Sequence, residues 1–176
     1  MNTCEPRAVS RGATVLALLL LSLGAYAESA QAASDLSGAP APDFVLKSVS
    51  GENFRLSEYR GEVVMVSFWA TWCGDCRAQL ADLNEWYGTY RGAGLQLFAV
   101  SLDRDPEDVS DTATRLKLQY PVLHDADLEV SKLYDVGNMP AAVLIDRDGI
   151  VREVVEGYKR NRSQEFLDRV RNLLRE

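Results

Sequence analysis

The chain has 176 residues, 47% of them apolar and 26% charged, which is the balance of a globular protein rather than of a disordered or fibrous one. That length predicts one domain plus extensions. A formal charge of −7 excludes a reader of phosphate backbones, which needs clustered Lys and Arg, and leaves no polybasic footprint for anionic lipid.

Residues 1–32 read as a secretory signal peptide. Arg7 and Arg11 form a basic start, Gly12 to Leu23 is an almost unbroken apolar run, and Ala25-Tyr26-Ala27 and Ala30-Gln31-Ala32 are small-x-small cleavage signals, placing the cut after residue 27 or 32. The alternative is an uncleaved membrane anchor. Against it, the run falls short of the roughly 20 residues that cross a bilayer comfortably. Removal of residues 1–32 takes away Glu5, Glu28, Arg7 and Arg11, so the chain left by that cut keeps a charge of −7. It also removes Cys4, leaving Cys73 and Cys76 alone in an oxidising compartment outside the cytoplasm, such as a periplasm.

Residues 33–40 are small and Pro-containing and predict a linker; residues 41–176 predict the folded domain. Phe44 to Leu46 and Asn53 to Arg55, separated by Ser50-Gly51-Glu52, predict a short N-terminal β-hairpin. Val63 to Phe68 is β-branched and continuous, the pattern of a strand buried on both faces. A helix is expected from about Cys73 to Tyr90, with Leu80, Leu83, Tyr87 and Tyr90 at helical spacing and Arg91-Gly92-Ala93-Gly94 as the stop.

Leu95 to Val100 predicts a second buried strand. Asp105 then caps a helix that has Pro106 at its first position. Tyr120 to Leu123 predicts a short extended segment and Leu128 to Leu133 a short helix. Ala141 to Ile145 and Ile150 to Val155 predict a hairpin closed by Asp146-Arg147-Asp148-Gly149, and Ser163 the cap of a last helix striped by Phe166, Leu167, Val170, Leu173 and Leu174. Strands and helices in this order indicate an α/β fold: a central mixed sheet with helices on both faces.

The chemistry gathers in Trp72-Cys73-Gly74-Asp75-Cys76. A strand feeding a helix through a short loop puts Cys73 at the helix N-terminus, where unpaired amides and the positive dipole end favour a thiolate. Such a setting brings a cysteine from about 8.5 to roughly 3.5–7.5. Cys76 follows one helical turn later, within disulfide reach. Cys73 is therefore the candidate nucleophile and Cys76 the resolving thiol of disulfide exchange. A purely structural disulfide competes poorly, since so small a loop removes about 2 kcal/mol or less of chain entropy. Zinc competes no better: one CxxC and the single His124 supply too few ligands for a closed site. No metal or other cofactor is expected.

Ala41-Pro42-Asp43-Phe44, Phe68 to Cys76, Met139-Pro140 and Leu144 to Gly149, in that order, resemble the exported TlpA/ResA-like branch of the thioredoxin superfamily over Ala41 to Leu174. The resemblance implies a thioredoxin-like fold and a protein-disulfide oxidoreductase acting outside the cytoplasm. Its implied partners are disulfide-bearing exported proteins, often in cytochrome c assembly, and a membrane thiol-electron carrier that recharges it. A monomer is expected. The resemblance also implies that Pro140 is cis and faces the cysteines, that Trp72, Met139 and Pro140 line the substrate groove, and that Trp69 and Trp72 shield the site, with core packing the alternative for Trp69.

Three positions depart from the family pattern. Asp75 stands where proline is frequent before the second cysteine; it either tunes Cys73 against the thiolate or serves as a favourable first-turn helix charge. Ser67 and Gln79 stand where relatives carry acids, so neither provides a titratable proton acceptor for Cys76. Two other functions fit less well. A thiol peroxidase of this fold needs Thr three residues before its cysteine, and Thr71 is two before Cys73. A copper(I) chaperone would use Cys73, Cys76, Met139 and His124 as soft and imidazole ligands, but the cysteine spacing is shorter than such proteins use. His124 itself reads as a hydrogen-bonding loop residue.

Overall fold

A computed structural model describes residues 36–157, 159 and 162–176, so the expected signal peptide lies outside the described residues. Among the described residues no helix is long and apolar enough to cross a membrane. Leu36 to Pro40, the described end of the expected linker, runs against the sheet: Gly38 N–H donates to Val151 at 2.7 Å, and Ala41 N–H to Gly149 at 2.9 Å.

Strands β1 (Val45–Lys47) and β2 (Asn53–Arg55) form the expected hairpin, with Leu46 opposite Phe54. Asp43 fastens it to the turn after β2, accepting hydrogen bonds from Arg55 Nε at 2.8 Å and from Ser57 N–H at 2.9 Å. Slight burial opposes ionisation of Asp43, but the bonds from Arg55 and Ser57 outweigh it and hold the carboxyl below its ordinary value.

Strand β3 (Val63–Trp69) is the centre of the molecule, buried along all of its seven residues. Helix α1 (Gly74–Tyr90) comes next, then a tight turn ended by Gly94, whose φ of 94° suits a residue without a Cβ. Strand β4 (Leu95–Ser101) is again buried throughout. Asp105 caps helix α2 (Pro106–Leu116) by accepting the Glu107 N–H, as the Asp-Pro pair predicts. Strand β5 (Val122–His124), helix α3 (Glu129–Leu133), strands β6 (Ala141–Ile145) and β7 (Val151–Glu156), and helix α4 (Ser163–Arg175) complete the order.

The five-stranded sheet runs β5-β4-β3-β6-β7; β3, β4 and β5 are parallel, whereas β6 and β7 are antiparallel to their neighbours. Alternation along β3 divides the core. Val63, Met65 and Trp69 pack with α1, α2 and α4. Val64, Val66 and Phe68 pack on the other face with Phe44, Leu56 and α3. Helices therefore cover both faces, with the hairpin reinforcing the side of α3.

Two local expectations change. Ser163 is not the cap of α4: Arg162 donates its N–H to Lys159 in a turn at 2.8 Å, takes the cap position, and moves Ser163 into the first helical turn. Trp69 belongs to the core and not to the rim of the site, since it is the last residue of β3 and fully buried under the helical layer.

The pH dependence of Asp43 has a definite sign. Its folded value is lowered, so its contribution is present above the unfolded value near 3.9 and is lost as pH falls through the folded one. Asp43→Ala is expected to cost about 1 kcal/mol or less at pH 7, because Arg55 is solvent-screened. Urea midpoints of the two proteins should converge on acidification below about pH 4.

Candidate active site

The site lies where β3 runs out. The end of this central strand carries Trp69 and Ala70 in the core, and the next residues must leave the sheet to begin α1. Cys73 N–H bonds back to the Ala70 carbonyl at 3.1 Å, closing a turn that brings Trp72 to the surface at 70% exposure. Cys73 is the N-cap of α1. Its sulfur accepts the Cys76 N–H at 3.2 Å, the place an oxygen occupies in an ordinary cap.

Cys73 and Cys76 are joined as a disulfide, with Cα atoms 5.3 Å apart. Their environments differ sharply. Cys73 is partly exposed, whereas Cys76 has no accessible surface. A partner therefore cannot reach the Cys76 sulfur, whereas Cys73 meets solvent. Asp75 is exposed in the first turn of α1, where its charge complements the helix dipole.

Across from the disulfide, β6 pairs antiparallel with β3 in a register that sets Ala141 opposite Phe68. That pairing puts Met139-Pro140 beside the end of β3, and the bond between them is cis. Met139 and Cys73 are partly buried against the same apolar cluster. Of the residues expected in the groove, Pro140 is buried, Met139 is half-buried and Trp72 stands out into solvent. Glu156 at the end of β7 steadies the approach to Pro140, accepting from Gly137 N–H and Asn138 Nδ2 at 3.1 Å each.

Beneath the cysteines, Ser67 and Gln79 meet each other. The Ser67 hydroxyl donates to Gln79 Oε1 at 3.0 Å, and both residues are buried. The two departures from the acidic pattern are thus one feature, a neutral hydrogen-bonded pair joining β3 to α1. His124 is the last residue of β5, and its Nε2 lies 2.7 Å from the Asp103 carbonyl. A carbonyl only accepts, so Nε2 carries the hydrogen and is occupied as a donor.

Asp103 escapes the sequence pattern. It lies two residues past β4, is buried, and takes hydrogen bonds from the Thr71 backbone and hydroxyl immediately before Trp72. A usable signal was present: in open α/β sheets, functional side chains gather beyond the carboxyl ends of strands. Asp103 occupies that place beside β3.

A half-exposed sulfur at a helix N-terminus, a buried sulfur one turn behind it, and a cis-proline loop opposite define a thiol–disulfide oxidoreductase of thioredoxin-like fold. Residues 37–154 match the AhpC/TSA family, and the chain belongs to that family. It is 35% identical over 148 residues to the thiol-disulfide oxidoreductase ResA of Geobacillus thermodenitrificans, spanning 82% of this chain and 85% of the relative. ResA of Geobacillus kaustophilus is 38% identical over 120 residues, or 68% and 69% of the two chains. Among solved structures, a Chlorobium tepidum protein assigned as the thiol:disulfide interchange protein DsbE superposes with a TM-score of 0.76 at 32% identity. That superposition covers 78% of this chain and 97% of the other. The expected ResA-like kinship and thioredoxin-like fold are both present, and the enzyme is a protein-disulfide oxidoreductase.

The unequal burial of the sulfurs has a direct chemical readout. In the freshly reduced protein, Cys73 should react with iodoacetamide more than about tenfold faster than Cys76. Mass spectrometry of peptides after a limiting pulse checks this.

Proposed function

We propose that the enzyme works outside the cytoplasm as a dithiol reductant of exported disulfide-bearing proteins, with Cys73 attacking and Cys76 resolving. The observation that carries this reading is the Cys73 sulfur as helix cap on a partly exposed residue, with Cys76 fully buried one turn behind it. The cap geometry supplies an N–H to the Cys73 sulfur, and the helix end adds its dipole, so the reduced residue is favoured as the attacking thiolate.

The exchange runs in two steps. The Cys73 thiolate attacks one sulfur of the partner's disulfide, forming a mixed disulfide and expelling the partner's other sulfur as thiolate. The Cys76 thiol then loses its proton and attacks the Cys73 sulfur. This restores the Cys73–Cys76 disulfide and releases the partner fully reduced by two electrons. Burial keeps Cys76 from reacting with anything except this intermediate. A membrane thiol-electron carrier returns the two electrons, and the signal-like residues 1–32 support action in a periplasm or equivalent space.

The partner's chain lies along Trp72, Met139 and Pro140, with the exposed indole as the apolar contact nearest Cys73. Asp75 adds a negative charge in the same turn and disfavours the thiolate, which biases the couple toward its disulfide and so toward giving electrons away. The kinship with thiol-disulfide oxidoreductases named ResA supports the redox assignment, and the resemblance to the TlpA/ResA-like branch extends the proposal to partners on the route of cytochrome c assembly.

Reduction of insulin with a chemical dithiol as electron source tests the assignment. Cys73→Ala should lower turnover by more than about a hundredfold, the loss expected when a covalent nucleophile is removed. Cys76→Ala should accumulate a mixed disulfide visible on non-reducing gels. Full activity in Cys73→Ala sinks the assignment, and a couple poised at the oxidising end would reverse the direction proposed.

A further inference from the structure

The loop that presents Cys73 is held by a carboxylate just past the end of the neighbouring strand. Asp103 Oδ2 accepts the Thr71 N–H at 2.9 Å, and Oδ1 accepts it at 3.2 Å. The Thr71 hydroxyl donates to Oδ1 at 2.7 Å. Ser101 Oγ donates to Oδ2 at 2.7 Å and accepts the Asp103 N–H at 3.1 Å, locking the carboxylate onto the end of β4. His124 Nε2 holds the Asp103 carbonyl from the β5 side, and Leu102 N–H donates to Trp69 at 2.9 Å. The segment between Trp69 and Cys73 is thus tethered to the end of β4 through Trp69 and Thr71.

Both oxygens of Asp103 act as acceptors, as an ionised carboxylate does. The residue is only 6% exposed, and among the described residues no Lys, Arg or His side chain forms an ion pair with it. A buried charge without a counter-ion is costly unless donors surround it. Thr71 and Ser101 provide those donors here. The remaining field of the charge extends from a buried group, where screening is weaker than in open water, toward a redox centre two residues along the chain from Thr71.

We propose that Asp103 is a positioning residue for disulfide exchange. It fixes Thr71 and thereby the place of Cys73 at the head of α1, and it sets a buried negative charge behind the thiol that favours the disulfide over the dithiol. The inference rests on the reading of Cys73 as the attacking thiol and adds a second residue, just past another strand, that governs it. Charge and tether act in concert: the bonds that hold the loop are those that surround the carboxylate.

Equilibration with glutathione isolates the effect, because two glutathione thiols convert the Cys73–Cys76 disulfide to the dithiol and one glutathione disulfide, with no protein partner involved. Asp103→Asn should shift that equilibrium toward the enzyme dithiol by about tenfold, equivalent to about 30 mV for this two-electron couple. In parallel, Thr71→Val should lower insulin turnover several-fold and Thr71→Ser should restore it, since serine keeps both donors. A folded Asp103→Asn protein with the wild-type glutathione equilibrium overturns the proposal. If that variant does not fold, equal turnover in Thr71→Val and Thr71→Ser overturns it. The equilibrium is indifferent to which partner the enzyme serves. A wild type with no Cys73-dependent reductase activity would therefore refute the catalytic reading while leaving the role of Asp103 to be read from glutathione.

Discussion

Parallel pairing of β3 with β4 dictates where the reactive sulfur lies. Parallel neighbours cannot be joined by a tight turn, so the chain must return across the sheet through a helix. That crossover is α1, and its N-terminus has to lie beyond the carboxyl end of β3. Whatever residue stands there receives unpaired amides and the positive end of the helix dipole. In this chain it is Cys73. Because β3 is buried on both faces and also paired to β6, the same edge receives Met139 and Pro140. The site is a consequence of where the central strand ends.

Polar groups near the disulfide are divided between two places. The helix side of β3 is apolar except at Ser67, whose hydroxyl is satisfied by Gln79 from α1. The pair anchors the catalytic helix to the central strand without placing an ionisable group in the core. A buried charged group, Asp103, lies just past the next strand and is surrounded by Thr71 and Ser101, apart from the exposed Asp75 on the helix. Neutral polarity thus lies below the helix and charge lies beside the loop. Cys76 is kept in a dry setting, while Cys73 lies at the head of the loop that these groups hold.

Much of this was legible in the residue order, for identifiable reasons. The strands from Val63 and Leu95 showed as unbroken apolar runs because both of their faces are buried. The Asp105-Pro106 cap is a local signal and appears where expected. The face of α1 was only partly legible. Leu80 and Leu83 are buried as the periodicity predicts, but Trp86 and the polar Gln79 are buried with them, while Tyr87 and Tyr90 lie at the margin. Gln79 escapes a hydrophobicity pattern because it is buried by virtue of one hydrogen bond to a residue twelve positions away.

The sequence by itself determined the dithiol, its place at a helix start and the mixed α/β order. Each of these is a short-range pattern set by dihedral preference, periodicity or spacing. Only the tertiary structure decided that Cys76 is sealed while Cys73 is open, that Trp69 is core while Trp72 is surface, and that Ser67 meets Gln79. It alone also brought Asp103 to Thr71 across 32 positions of chain. These are long-range facts because burial and hydrogen-bond partnership depend on which strands lie side by side, and that is settled when the sheet assembles.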